Sequence, residues 1–336
     1  MVAAGRFVGF GELLIRLSAP GRSLLMQTPS FDIHIGGAEA NVATALARLG
    51  HATSMVSAVP DNALGAGAVA ALRSHGVDTS GVQVRAGRMG LYFLAMGAGL
   101  RASEVVYDRA ESSFAAAPAS SYDWPTLLAG AGRLHLSGIT PALNEQSAAA
   151  AIAAAEAATA LGIPVSFDGN FRAQLWAARS VDPRPILARL IGHADILFGN
   201  HRDVALVLGG DFGSDGDADA RAAAAAFAAF PRLTMIASTN RETLDADRHR
   251  LAARIDRRDG HDATDPVLLS GVVDRIGAGD AFAAGVLHGL SRGGPAEAAR
   301  TGLALACLKH ALPGDASLFT QRDLDAYFAG TVDVRR

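Results

Sequence analysis

Near the C-terminal end of the sequence, Gly277-Ala278-Gly279-Asp280 sets two glycines around an alanine and follows them with a carboxylate, after which a helix-forming apolar run continues from Ala281 to Leu290. A helix start leaves backbone N–H groups unpaired, and glycines let an anion come close to them. Gly277, Ala278 and Gly279 can therefore cradle the oxygens of a phosphate in transfer. Asp280 then stands where a carboxylate can take a proton from an attacking hydroxyl. The chemistry that suits these residue types at this spacing is phosphoryl transfer, although four residues alone are better read as an ordinary loop with a helix N-cap.

Three other stretches carry groups able to hold a small polar ligand. Gly36-Gly37-Ala38-Glu39-Ala40-Asn41 opens a helix that runs to Leu49 and stops at Gly50. Paired glycines allow close approach, and Asn41 offers a donor and an acceptor to sugar hydroxyls; tight backbone packing explains the glycines equally well. Tyr107 and Arg109, two apart on a strand, project from one face and can aim a ring and a guanidinium together at an acidic ligand. Taken alone, Arg109 reads better as a solvated surface charge. Asp168-Gly169-Asn170-Phe171-Arg172 follows the carboxyl end of a strand, where open α/β sheets bind ligands. Arg172 there suits a carboxylate, a phosphate or simply a helix surface.

These groups need a frame, and the hydrophobic pattern supplies an alternation of strands and helices. Strands are predicted over 6–10, 53–59, 82–85, 134–137, 163–167, 195–198 and 233–237, with helices over 38–49, 63–75, 145–161 and 222–229. The rhythm breaks between Gly87 and Phe114, where 91–95 and 104–109 look like two strands with no helix between them, a hairpin flap. No repeat, low-complexity tail or linker interrupts the rest, so the chain reads as one domain plus a flap.

Bulk composition narrows the partners. With 336 residues, 50% hydrophobic and 6% aromatic, the chain can bury a large core unaided. A formal net charge of -3 leaves no electrostatic footprint for nucleic acid or a membrane surface, which points to a small-molecule partner. The single cysteine, Cys307, rules out an intrachain disulfide and a cysteine-based metal site. Gly9 and Glu12 arrive before a signal-peptide core could form, and no run of about 18 strongly apolar residues occurs, so a cytoplasmic location is expected.

Several familiar patterns fail on inspection. Gly9-x-Gly11 lacks the third glycine of a dinucleotide loop and has Leu14 in its place. His201-Arg202-Asp203 matches a protein-kinase catalytic triplet by chance, since Leu208 stands where asparagine is required. The aspartates between 211 and 219 lack the glycine and distal glutamate of a calcium loop. No HExxH, GxSxG or GxxxxGK[ST] pattern occurs, which removes zincins, α/β-hydrolases and P-loop enzymes.

Taken in order, Gly-Gly-Ala-Glu-Ala-Asn, Asp-Gly-Asn-Phe-Arg and Gly-Ala-Gly-Asp resemble the ribokinase-like, PfkB-type sugar kinases along essentially the whole chain. The segments 36–43, 106–109, 135–143, 167–176 and 309–315 are similar in particular to 2-keto-3-deoxygluconate kinases. The resemblance implies a ribokinase-like three-layer α/β fold over 1–331, with a mostly parallel sheet between helices and a small β lid from about 12–35 and 87–114. It implies ATP and Mg2+ as cofactors and 2-keto-3-deoxygluconate as substrate. Asp280 would be the base, with Gly277, Ala278 and Gly279 as the anion hole. Gly36, Gly37, Ala38 and Asn41 would hold the sugar. Tyr92, Tyr107, Arg109, Arg172 and Asp315 would ring an acid-sugar pocket. Asn170, Asn200, Thr239, Arg241, Gly277, Gly279 and His310 would meet ATP. A homo-oligomer through the lid is a further implication of the same likeness.

Two stretches depart from the family. Its Asn-x-x-Glu, tied to magnesium and phosphate, appears as Asn200-His201-Arg202-Asp203, one methylene shorter at the acid, so Asp203 is the candidate metal residue. After the strand at 233–237, a glycine-containing turn is replaced by 238–243, closer to a Thr-x-Arg version in which Arg241 meets phosphates. One physical tension accompanies the implied roles: a helix N-terminus favours the carboxylate form of Asp280, making it a weak base and placing proton transfer late. Alternative readings are a kinase of the same fold for a neutral sugar such as fructose, for which Arg109 and Arg172 together are unneeded, and a catalytically silent sugar-binding protein.

Overall fold

The structure is a computed structural model that describes residues 5–330; the expected domain, 1–331, runs at its ends onto residues 1–4 and 331, which lie outside the described ones. Fourteen strands form two sheets: β1 Arg6–Phe10, β2 Leu14–Ser18, β3 Asp32–Gly36, β4 Thr53–Pro60, β5 Val82–Arg85, β6 Gly90–Ala95, β7 Glu104–Asp108, β8 Ala131–Ser137, β9 Val165–Asp168, β10 Ile196–Phe198, β11 Met235–Thr243, β12 Arg248–Arg257, β13 Gly260–Ala263 and β14 Val267–Ser270. The large sheet has ten strands in the order β13-β12-β11-β10-β9-β8-β1-β4-β5, with β14 also on β12. From β11 to β5 every pairing is parallel. After β1 the chain builds outward to β4 and β5, then returns to add β8 through β11 on the other side. The order therefore reverses between β1 and β8, the place where an open α/β sheet leaves a crevice beyond its carboxyl ends.

The parallel strands are buried on both faces, which is why β4 is apolar or small throughout and wholly buried. One apolar cluster fills the space on one face around Phe10, Leu134, Phe167 and Trp176; another fills the opposite face around Val42, Phe198, Phe282 and Leu305. Small residues let the second layer pack closely. A Cβ on Gly289 would lie 2.6 Å from the Ala298 Cα, so helix Ala278–Arg292 seats almost directly on helix Pro295–Lys309. Helix Glu145–Ala160 buries seven of its residues, six of them alanines. This answers the low aromatic content: the layers close up instead of being filled by rings.

The second sheet has four strands in the order β3-β2-β6-β7, and β6 and β7 pair antiparallel as the hairpin pattern predicts. Its register sorts two rows by chemistry. Ile33, Leu17, Phe93 and Val106 lie side by side across the four strands, and the next row is His34, Arg16, Tyr92 and Tyr107. Because neighbours along a strand point to opposite faces, the apolar row faces away from the polar one. Arg16 and Tyr92 are buried, whereas Ile33 and Val106 are exposed.

Two segments differ from the sequence pattern. Residues 238–243, which lie beyond the strand predicted over 233–237, continue β11 and pair antiparallel with β12 from Met235↔Arg257 to Thr243↔His249. The exposed charged positions of β12 hide an alternation in which His249, Leu251, Ala253 and Ile255 point inward. The helix expected from Ala281 begins at Ala278, because Gly277 adopts φ 76° and turns the chain into it.

Candidate active site

Asp280 lies in the first turn of helix Ala278–Arg292, whose leading N–H groups have no partner within the helix. Gly277, at its N-cap, packs so closely on the 314–315 segment that a Cβ there would sit 1.7 Å from the Asp315 carbonyl oxygen. A Cβ on Gly279 would meet nothing within 4 Å, so the helix start faces open space. From the other side, Asn41 in helix Ala38–Arg48 donates its Nδ2 to Asp280 Oδ2 at 2.6 Å. Asn41 thereby orients the carboxylate, a task that precedes any contact with a sugar.

Asp280 reaches the cavity surface yet is surrounded by protein. Burial pushes its carboxyl up to about 6, with the Asp315 charge adding to the rise and the Asn41 hydrogen bond, Arg172 and Lys309 opposing it. The expectation of a weak base is corrected: burial outweighs the hydrogen bond from Asn41 and the charges of Arg172 and Lys309. Asp280 is ionised at neutral pH and more basic than an exposed aspartate.

Two cavities meet at this helix start. One, of about 420 Å³, is lined by Gly37, Ala38, Asn41 and Asp280 together with Tyr92, Tyr107 and Arg109 from the small sheet and Arg172 from the segment after β9. The other, of about 480 Å³, is lined by Asn200, Thr239, Arg241, Ala278, Gly279 and His310. Gly279 and Arg241 belong to both. A group bound in one cavity can thus meet a group bound in the other over the N-terminus of the helix.

Within this frame several expected residues are engaged differently. Arg109 lines the first cavity, but its Nε donates to Glu12 Oε2 at 2.8 Å and its Nη2 forms a short ion pair with the same oxygen. Only its buried Nη1 lacks a protein partner. Tyr107 stacks loosely beside it, the guanidinium carbon 5.8 Å from the ring centre. Tyr92 donates a short hydrogen bond to Asp315, whose other oxygen takes Arg16 Nη1 at 2.9 Å, so these two side chains occupy one another. Gly36 does not reach the cavity; its missing side chain makes room for Asp315 Oδ2, 2.1 Å from where a Cβ would be. Asn170, expected at the nucleotide, lines the first cavity instead. Arg172, Arg241 and Arg275 line that cavity with no ion-pair partner among the described residues. Burial and the neighbouring Arg275 hold the Arg241 guanidinium below its ordinary value, a charge in want of an anion.

Asp203 caps its own helix, accepting the Asn200 N–H at 2.9 Å, and burial raises its carboxyl. Asp168, at the end of β9, is pushed up to about 8 by burial first and then by the charges of Asp280 and Asp203. Among the described residues no three acidic, histidine or cysteine side chains converge into a metal cage. A raised carboxylate at Asp168, on the wall of the first cavity, nevertheless fits a hydrated Mg2+, which uses one or two carboxylates and completes its shell with water and phosphate oxygens. Asp168 would face it, whereas Asp203, the expected metal residue, lines neither cavity.

Asp168, Glu12, Arg16 and Arg275 were not singled out by the sequence pattern. Asp168 had a signal, since it ends an apolar strand at the sheet's carboxyl edge. Arg16 had one too, as a charge inside Leu14-Ile15-Arg16-Leu17. Glu12 and Arg275 carried none, because their partners are distant in sequence.

A crystal structure of 2-dehydro-3-deoxygluconokinase from Thermotoga maritima superposes with a TM-score of 0.91 at 34% identity, covering 97% of this chain and 100% of that one. The chain is 32% identical to a Haloferax volcanii 2-dehydro-3-deoxygalactonokinase over 96% of each chain. It is 29% identical to the 2-dehydro-3-deoxygluconokinase of Bacillus subtilis over 96% of this chain and 94% of that one. The fold is the ribokinase-like α/β arrangement. Since the model of the pfkB family carbohydrate kinases matches residues 6–320, nearly the whole length, the chain belongs to that family and is a carbohydrate kinase.

Proposed function

We propose that this kinase transfers the γ-phosphoryl group of ATP to the terminal hydroxyl of a 2-keto-3-deoxy acid sugar, gluconate-derived or its galactonate epimer. The observation that carries the reading is the cationic lining of the 420 Å³ cavity that holds Asp280: Arg172, which has no ion-pair partner among the described residues, and Arg109, whose buried Nη1 has no protein partner. A neutral sugar has no use for either. The curated and solved relatives at 32% and 34% identity are named for keto-deoxy acid sugars, which agrees with this choice.

The mechanism follows from the positions. ATP and Mg2+, when bound, supply the phosphoryl group and neutralise part of its charge. Gly37 and Ala38 approach the sugar through backbone, Tyr107 covers it, and Arg109 and Arg172 hold its carboxylate. Asp280, aimed by Asn41, would accept the hydroxyl proton as the sugar oxygen bonds to the γ-phosphorus and the γ-phosphorus parts from the bridging oxygen, which leaves with ADP. The N–H groups following Gly277, with Arg241 at the seam of the two cavities, receive the charge that gathers on the transferring oxygens. Thr239, Asn200 and His310 line the side from which the nucleotide enters. The small sheet acts as a lid that keeps water from taking the phosphate.

The test is a set of initial rates of ADP formation with 2-keto-3-deoxygluconate, its galactonate epimer, gluconate, fructose and ribose, in wild type and Arg172→Gln. Wild type is expected to prefer the keto-deoxy acids. Arg172→Gln should raise their KM about 10- to 100-fold, the size of a lost charge-assisted contact, with kcat changed less. A preference for fructose or ribose, or an unchanged KM in the variant, removes the carboxylate argument and leaves a neutral-sugar kinase.

We also propose that two copies pair through their lids. The outward row Ile33, Leu17, Phe93 and Val106 exposes contiguous apolar surface, with Ile33 at 66% and Met26 beside the same sheet at 94% exposure. Sedimentation at micromolar concentration should give a dimer for wild type and a monomer for Ile33→Asp. A monomeric wild type would end this proposal. Among the described residues no helix is long and apolar enough to cross a membrane, and the one cysteine is free and buried, so a cytoplasmic enzyme is the location we favour.

A further inference from the structure

A buried ionic cluster ties the small sheet to the backbone of the anion hole. Arg16, in the middle of β2, is 2% exposed. Its Nη2 donates to Asp274 Oδ2 at 2.6 Å, its Nη1 to Asp315 Oδ1 at 2.9 Å and its Nε to Ser18 Oγ at 2.6 Å. Burial opposes the guanidinium charge, and Asp274 and Asp315 more than restore it. Both acids continue into the hole. Asp274 Oδ1 accepts the N–H of Ile276, the residue before Gly277, at 2.9 Å, while its Oδ2 also accepts the N–H of Gly314 at 3.0 Å. The Asp315 carbonyl is the group against which Gly277 is packed. Fully buried Lys309 stands beside the cluster, its Nζ donating to the Leu312 carbonyl at 2.8 Å and to the Asp274 backbone carbonyl at 3.5 Å.

One guanidinium therefore holds the carboxylates that bracket Gly277, and it belongs to the other sheet. We infer that Arg16 is a positioning residue that makes the anion hole conditional on a seated lid: the hole keeps its shape while β2 holds Asp274 and Asp315 together, and loosens when β2 is withdrawn. Tyr92 belongs to the same device, since its hydroxyl holds the second oxygen of Asp315. The inference rests on the kinase reading above for its purpose and on the cluster's geometry for its existence.

Arg16→Lys tests it, because one ammonium cannot present the planar fork that spans two carboxylates. In the full-length protein, kcat with the preferred sugar is expected to fall about 10- to 100-fold, as a displacement of the hole on the order of 1 Å implies, with sugar KM within about threefold of wild type. In the ligand-free protein, amide hydrogen exchange over 276–280 should quicken about tenfold while the middle of helix Pro295–Lys309 keeps its protection. If the lysine variant does not fold, Asp274→Asn carries the same two expectations. Wild-type kcat with unchanged exchange, or a rise in KM alone, overturns the inference. A wild type that phosphorylates no sugar would sink the kinase reading, and the exchange result would still decide this one.

Discussion

Asp280→Asn is expected to lower kcat about 10³-fold while leaving the affinity for the sugar within a few-fold. Positioned general bases contribute on the order of 10² to 10⁴, and this carboxylate is fixed by the 2.6 Å hydrogen bond from Asn41. An asparagine keeps the shape and can still accept from Asn41, so the cavity remains intact and only the proton acceptor is lost. The wild-type pH profile follows from the same group. Its carboxyl sits at about 6, so kcat/KM should rise as pH increases through 6 and level off above it. The effect on stability has the opposite sign. The ordinary value is 3.8, so between about pH 4 and 6 the folded state holds a proton that the unfolded state has released, and stability declines as pH rises through that window. At neutral pH the asparagine variant should therefore melt higher than wild type although it turns over far less, an exchange of stability for chemistry. Rates with the preferred acid sugar, isothermal titration with that sugar and thermal melts at pH 5 and 7.5 measure all three. An active asparagine variant would remove Asp280 from the mechanism.

Much of this site is legible in the sequence because its parts are glycines and helix starts. The glycines at 37 and 277 mark places where the backbone itself does the work, whereas the strands before them, Asp32–Gly36 and Val267–Ser270, are too polar or too short for the pattern to place. The antiparallel β12 escaped because its arginines at 248, 250 and 254, the first two exposed and the third half-buried, break the apolar run, and its inward residues at 249, 251, 253 and 255 are spaced by two without a turn signal such as Asn-Gly before them. Side-chain partners escaped for a different reason. Arg109 and Glu12 are 97 residues apart, and Arg16 and Asp315 are 299 apart. Residue type says that an arginine can hold a carboxylate, but not whether that carboxylate belongs to a ligand or to the protein. Arg109 gives two nitrogens to Glu12 and keeps its third, Nη1, buried without a protein partner. The basicity of Asp280 was misjudged for a related reason, since a helix start is visible in sequence and the burial that raises its carboxyl is not.

Gly277→Ala should abolish most activity through shape alone, with every polar group retained. The added Cβ would lie 1.7 Å from the Asp315 carbonyl oxygen and 3.3 Å from the Asp315 Cα, both backbone atoms that no rotamer can move aside. The residue also sits at φ 76°, a conformation that disfavours an L side chain by roughly 1 kcal/mol or more. Relief requires the 274–279 turn or the 314–315 segment to shift by about an ångström, and either movement carries the helix N–H groups away from the transferring phosphate. Loss of such donors lowers kcat by about 10² to 10³. The thermal midpoint should fall as well, because Asp274 and Asp315 are buried and gripped by Arg16 and cannot relax without exposing charge. Gly279→Ala provides the contrast. Its φ is ordinary and its Cβ meets nothing within 4 Å, so the fold should be at least as stable as wild type. Its methyl enters the space shared by the two cavities, however, and kcat should drop with the melting point unchanged. Two glycines two positions apart thus serve different ends, one allowing a turn against a buried carbonyl and the other leaving room for an anion. Equal losses of stability in the two variants, or full activity in Gly277→Ala, would show that this division is wrong.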